Sequence, residues 1–154
     1  MAHRETISDD LGFFLDEGPF FWAISFSVGY SCRNKKEDVQ LVQYFLNKIF
    51  DGNRRDGYTS RKNITVDGQF GGETWGAIKW YQKDLAPMVV ADGMISAASG
   101  NDIDTKKQKR SYTIHWLNSN MAHFYPLLYK DIRNDPLLPA ELRSQLSGPL
   151  KDLY

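Results

Sequence analysis

The stretch ITVDGQFGGETWGAIKWYQKDL, Ile64 to Leu85, constrains the fold more than any other part of the chain. A short apolar run meets Asp67-Gly68, a tight-turn signal, and a pair of glycines then opens a helical pattern. Asp67 is suited to bond its own local backbone, and Gly68 accepts a positive φ. Phe70 is expected to plug the core. Gly71 is expected to let the chain approach closely before a helix from about Gly72 to Asp84. On that helix Thr74, Ile78, Tyr81 and Leu85 cluster with Ala77 beside them. Trp75 and Gln82 flank the stripe on one side and Trp80 on the other. The same grammar returns 25 residues later in ADGMIS, where Asp92-Gly93 forms a second turn signal. Two copies at that spacing do not make a solenoid.

The turn lacks the features of a ligand loop. A phosphate cradle needs a glycine-rich run ending in Lys-Ser/Thr, or the spaced glycines of a dinucleotide fold. A calcium loop needs several oxygen donors at alternate positions and a late Glu. Only Asp67, Gln69 and Glu73 are on offer here, so the turn reads as structural.

Around this motif the chain reads as mainly α, with little strand. Residues 1 to 18 are polar and read as an irregular arm. In FFWAISFSVGY, Ile24, Phe26 and Val28 alternate with Ser25, Ser27 and Gly29, the period of a half-buried strand. A helix follows, with Asn34 as N-cap, Glu37 and Asp38 in the first turn, and Gly52 as its stop. Val39, Val42, Leu46 and Ile49 form its apolar face, widened by Leu41 and Phe45. Gln40, Gln43 and Asn47 lie opposite. Asn53 to Asn63 is a charged loop, and Ile64 and Val66 make a very short extended piece. From about Asp104 to Arg133, Ile114, Leu117, Met121, Phe124 and Leu128 share one helical face, with Pro126 as a kink or last turn. A short helix from about Pro139 to Leu146 closes the pattern, ended by Gly148 and Pro149.

With 154 residues the chain suits one domain with extensions. Nineteen basic and nineteen acidic side chains balance. That excludes nucleic-acid binding by bulk electrostatics, and the short KKQKR run reads as a solvated face. Cys32 is the only cysteine, so neither an internal disulfide nor a thiolate metal cluster is available. Its neighbour Arg33 would lower its pKa if the two interact. The N-terminus does not read as a signal peptide, and GPFFWAISFSVGY is too short to span a bilayer. The expectation is a protein without a membrane span, either cytoplasmic or exported by a non-classical route.

Three separated segments together carry a family likeness: KKEDVQLVQYFLNKIF, ITVDGQFGGETWGAIKWYQKDL and VVADGMIS. Their order and spacing resemble the peptidoglycan-binding-domain-like family. The matching positions are Val39, Gln43 and Leu46; Asp67, Gly68, Phe70 and Gly71; Thr74, Ala77, Ile78, Tyr81 and Gln82; Asp92 and Gly93. The upstream SVGYSCRNKKEDVQLVQ is similar to the lead-in of a bacterial branch of that family. The likeness covers roughly residues 27 to 100. Gly72 stands where the family commonly has proline, and the loop after the first helix is longer and more charged. The resemblance implies a three-helix peptidoglycan-binding-like core over residues 27–103. Residues 1–26 would form an N-terminal arm and 104–154 a helical extension packed on the core.

By resemblance the function is non-catalytic binding of bacterial cell-wall peptidoglycan at the junction of glycan and stem peptide. A secretion-associated or effector-like setting is one form of it. The same fold also serves as a docking module, so a protein partner on the C-terminal helices is the alternative. A wall hydrolase comes third, since it needs two carboxyls across a cleft. Asp16-Glu17 and Glu37-Asp38 are adjacent pairs of the kind used for solvation or capping. His115 and His123 stand eight apart without zinc spacing, and no nucleophile elbow is present. No cofactor, metal or enzymatic activity is expected. Exposed rings with amide and charged neighbours suit sugars and stem peptides. The expected binding surface is Arg33, Asn34, Tyr44, Gln69, Trp75 and Gln82. Trp80 is expected to lie under the protein's own segments, while Trp75 could face either way.

Overall fold

The computed structural model describes residues 2–6, 20–98 and 112–146. Among them the protein is mainly α, with helices α1 (Lys36–Arg55), α2 (Gly72–Asp84), α3 (Thr113–Phe124), α4 (Pro126–Lys130) and α5 (Ala140–Gln145) and one two-stranded sheet that packs on α3. The KKQKR run, Asp16-Glu17, Gly148 and Pro149 lie outside the described residues.

The sheet corrects the expectation of an irregular arm. Strand β1 (His3–Thr6) pairs antiparallel with β2 (Phe20–Ala23). The four residues of β2 are all buried, so this strand is apolar on both faces. The alternation seen from Ile24 onward belongs instead to an irregular segment. Val28 alone of that segment forms a β-bridge, to Ile95. The main chain of Trp22 is held from α3: its N–H donates to Asn118 Oδ1 at 2.7 Å, and Asn118 Nδ2 donates to its carbonyl at 2.9 Å. The amide of Asn118 thus takes the place of a neighbouring strand.

Helix α1 is the centre of the core. Val39, Val42, Leu46 and Ile49 are buried as their spacing requires, with Leu41 and Phe45. The side expected to be polar is also covered. Gln40 and Gln43 are buried, and Asn47 is half-buried with its amide bonded to both the N–H and the carbonyl of Ile64. Primary amides can face a covering loop because they satisfy its backbone groups. Gly52 does not stop the helix, which runs on to Arg55. The ring of Phe124 packs there so closely that a Cβ on Gly52 would lie 2.6 Å from it. Nor is Asn34 the N-cap, since Lys35 takes that position. Asn34 has φ +50° and turns its side chain back, accepting from Gly29 N–H at 2.9 Å and donating to Gly29 O at 2.8 Å. It closes the loop from Gly29 to Asn34.

The long C-terminal pattern breaks into two helices at Tyr125, and Pro126 opens α4, where its missing N–H costs nothing. A 3-10 turn, Ile132–Asn134, leads to α5. This segment is pinned to α1 by a buried cluster. The Tyr44 hydroxyl donates to Asp135 Oδ2 at 2.8 Å, and Lys48 Nζ lies 3.1 Å from the same oxygen. Lys48 also sits 4.4 Å above the Tyr125 ring.

Candidate functional site

The two Asp-Gly turns are built alike, each around a buried glutamine. On α1, Gln43 Oε1 accepts from Asp67 N–H at 3.1 Å and Gly68 N–H at 2.9 Å. Its Nε2 donates to Asp67 Oδ1, to Gln69 O and to Thr74 Oγ1. On α2, Gln82 Oε1 accepts from Gly93 N–H at 2.9 Å. Its Nε2 donates to Asp92 Oδ1, to Met94 O and to Thr113 Oγ1. Asp67 and Asp92 each also accept from the N–H two residues on. Gly68 and Gly93 have φ +76° and +75°, the left-handed conformation that favours glycine. In each copy the clamping glutamine precedes by 31 residues a threonine in the first turn of the next helix, Gln43 to Thr74 and Gln82 to Thr113.

This geometry takes two residues out of the expected binding surface. Gln82 is 1% exposed, because its amide is consumed by the second turn. Tyr44 is 2% exposed, its hydroxyl committed to Asp135. Burial and the Asp135 carboxylate push the Tyr44 hydroxyl's pKa far above its ordinary value. Phe70, by contrast, does not plug the core. The Gln43 amide already fills the inner side of its turn, and the half-buried Phe70 ring leans on Tyr30.

What the fold assembles at the surface is a face of three rings. Tyr30, 59% exposed, meets Phe70 edge-on with centroids 5.1 Å apart. It also lies 6.0 Å from Trp75 at a tilt of 46°. Trp75 is half-buried, its indole seated against Gly93, and Lys79 Nζ stands 4.9 Å over its ring. Among the described residues no carboxylate pairs with Lys79. Gln69 is exposed next to Phe70. Of the expected residues, Trp75 joins this face, and Gln69 is exposed at the turn that carries Phe70. Arg33 is exposed on the loop that carries Tyr30, with its guanidinium 4.4 Å from the centre of the Phe26 ring. Asn34 shapes that loop from within. Tyr30 is the member that no sequence pattern marked, and Phe70 was marked as a core residue instead. Trp80 lies half-buried on the core, edge-on to Phe50 at 5.5 Å.

Beyond Gly93 the surface continues. Met94 lies against Gly29, where a Cβ would sit 3.0 Å from its Cγ, and it also lines a depression of about 310 Å³. Val89, Val90, Asp92 and Tyr112 form other parts of that wall. Cys32 is half-buried nearby, and its pKa moves opposite to the expectation: burial and then the Asp92 carboxylate push the thiol up. Among the described residues no group of three His, Cys, Asp or Glu is placed to hold a metal. Asp38, of the adjacent pair on α1, accepts from the N–H groups of Ser25 and Phe26 at 3.3 and 3.1 Å. No helix among the described residues is long and apolar enough to cross a membrane.

Compared with protein-family models, curated proteins and solved structures, the chain finds no match in any of the three.

Proposed function

We propose that this protein binds bacterial cell-wall peptidoglycan without cleaving it, through the face formed by Tyr30, Phe70 and Trp75. The ring cluster is the observation that carries this reading. Three aromatic side chains from separate elements converge at the surface with the Lys79 ammonium over one of them, and the exposed Gln69 precedes Phe70 in the chain. Ring faces suit the apolar faces of sugars and the stems of short peptides, and polar groups at the rim fix orientation. Support also comes from the motif likeness. The positions that resemble the peptidoglycan-binding-domain-like pattern include the two clamped turns, and the first of these presents Phe70. The non-catalytic half of the reading rests on Asp38, whose carboxylate serves as a backbone acceptor rather than standing free across a cleft.

Sedimentation with purified insoluble peptidoglycan tests the proposal. The protein is expected in the pellet, and the turbidity of the suspension is expected to stay constant. A protein wholly in the supernatant refutes wall binding, and falling turbidity refutes the non-catalytic part.

A further inference from the structure

The equivalence of the two turns assigns a partner to the first one. In the second turn, Met94 spends its N–H on Asp92 and its carbonyl on Gln82. The next residue, Ile95, then exchanges both main-chain hydrogen bonds with Val28, at 2.8 and 2.9 Å. In the first turn, Gln69 likewise spends its N–H on Asp67 and its carbonyl on Gln43. Phe70 holds the place of Ile95, three residues past the aspartate. Among the described residues neither its N–H nor its carbonyl takes a hydrogen bond.

The Phe70 side chain is half-buried, but the backbone just past it is open. Gly71 is fully extended, with φ −158° and ψ −165°. Beyond the Cα atoms of both Gly71 and Gly72 nothing lies within 4 Å of where a side chain would begin. Bare extended glycine backbone beside an unpaired residue is an arrangement in which another chain can approach closely.

We propose that Phe70 is a β-bridge site for an extended L-peptide segment of a partner protein. That segment pairs with Phe70 as Val28 pairs with Ile95. Its chemistry follows from what surrounds the two bridges. The internal occupant is a β-branched residue between small ones, in SFSVGY. The external site adds the Tyr30 ring, and beyond that ring Lys79 stands over Trp75 with no carboxylate partner among the described residues, so an acidic residue on that side of the paired position is favoured. This docking does not depend on wall binding, because its hydrogen bonds go to the main chain of Phe70, although the segment would lie beside the same Tyr30 ring.

The test is a titration of the ¹⁵N-labelled full chain with the peptide SFDVGY, which copies residues 25–30 with Asp in place of Ser27. A single bridge is weak, so a Kd on the order of 1 mM is expected. The Phe70 amide resonance should shift downfield and saturate. The same peptide N-methylated at its valine lacks one donor and should bind roughly tenfold more weakly. A Phe70 amide that does not move, or that moves equally with the N-methylated peptide, overturns the proposal. It is also overturned if a soluble peptidoglycan stem peptide shifts that amide while SFDVGY does not, since the edge then belongs to the wall polymer.

Discussion

Gln43 and Gln82 sit on successive helices and hold successive turns by the same bond: Gly68 N–H to Gln43 Oε1 and Gly93 N–H to Gln82 Oε1, both 2.9 Å. Each side chain then donates to the aspartate before its glycine and to a threonine on the following helix. Gln82→Ala would strand the Gly93 N–H and the Thr113 hydroxyl in the interior. The expected cost is about 2–3 kcal/mol, since an unsatisfied buried group costs about 1–3 kcal/mol. Gln43→Ala should cost at least as much. Urea denaturation of each variant measures this, and an unchanged midpoint would mean that the clamps contribute little.

The glycines of these turns divide by conformation. Gly93 has φ +75°, and a Cβ there would overlap the Trp75 indole. Gly93→Ala should destabilise by about 2 kcal/mol or more, through both strain and overlap. It should also alter the tryptophan emission spectrum. Gly71 is extended and open, so Gly71→Ala should change stability by no more than about 0.5 kcal/mol. Equal effects at the two positions would contradict the turn geometry.

The buried cluster on α1 makes stability depend on pH. Burial alone raises the Asp135 pKa, but the Leu137 N–H, the Tyr44 hydroxyl and Lys48 together hold it below the ordinary carboxylate value. The folded pKa therefore lies under the unfolded one of about 3.9. Its stabilising contribution is present above that value and is lost as pH falls through the lower, folded one. Asp135→Asn should cost about 2–3 kcal/mol at neutral pH, because the half-buried Lys48 is left without its counter-ion. The variant should also show a shallower loss of stability below pH ~4 than the wild type. Parallel pH profiles for the two proteins would remove Asp135 from this role.

Hydrogen exchange separates the two turns directly. Ile95 N–H donates to Val28 O, whereas Phe70 N–H has no acceptor among the described residues. The Ile95 amide should exchange slowly and the Phe70 amide near the rate of an open chain. Comparable protection at both would show that Phe70 is already paired.

Much of this fold was legible from residue spacing, and four of the failures share one cause. The inward faces of α1 and α2 follow from helical periodicity, because apolar side chains at that spacing have one place to go. The Asp-Gly turns follow from their own chemistry. Gln40, Gln43, Gln82 and Tyr44 were misjudged because polarity was read as exposure. Gln43 and Gln82 are buried against the turns they satisfy, whereas Tyr44 and Gln40 bond carboxylates far along the chain, Asp135 at 91 residues and Glu141 at 101, and Gln40 Oε1 is left without a partner among the described residues. One signal was nonetheless present, the equal spacing from Gln43 to Thr74 and from Gln82 to Thr113. Gly52 misled for the opposite reason. It is a helix interior residue kept small for Phe124, a contact with no local signature. At the ring face, Trp75 was legible as a position flanking the apolar stripe of α2, and Gln69 as a turn residue. Tyr30 was not, since its place beside Phe70 depends on a loop that Asn34 closes at positive φ.

Tyr30 is the most exposed of the three rings, and its removal leaves the turn clamps and the core intact. The most direct test of the wall-binding face is therefore co-sedimentation of wild type and Tyr30→Ala with purified insoluble peptidoglycan, with thermal unfolding as the control for folding. The expected result is retention of the wild type and an apparent affinity roughly tenfold lower for Tyr30→Ala, as loss of one stacking ring of about 1 kcal/mol or more implies. A wild type that stays in the supernatant, or a Tyr30→Ala protein retained as well as the wild type, would contradict it.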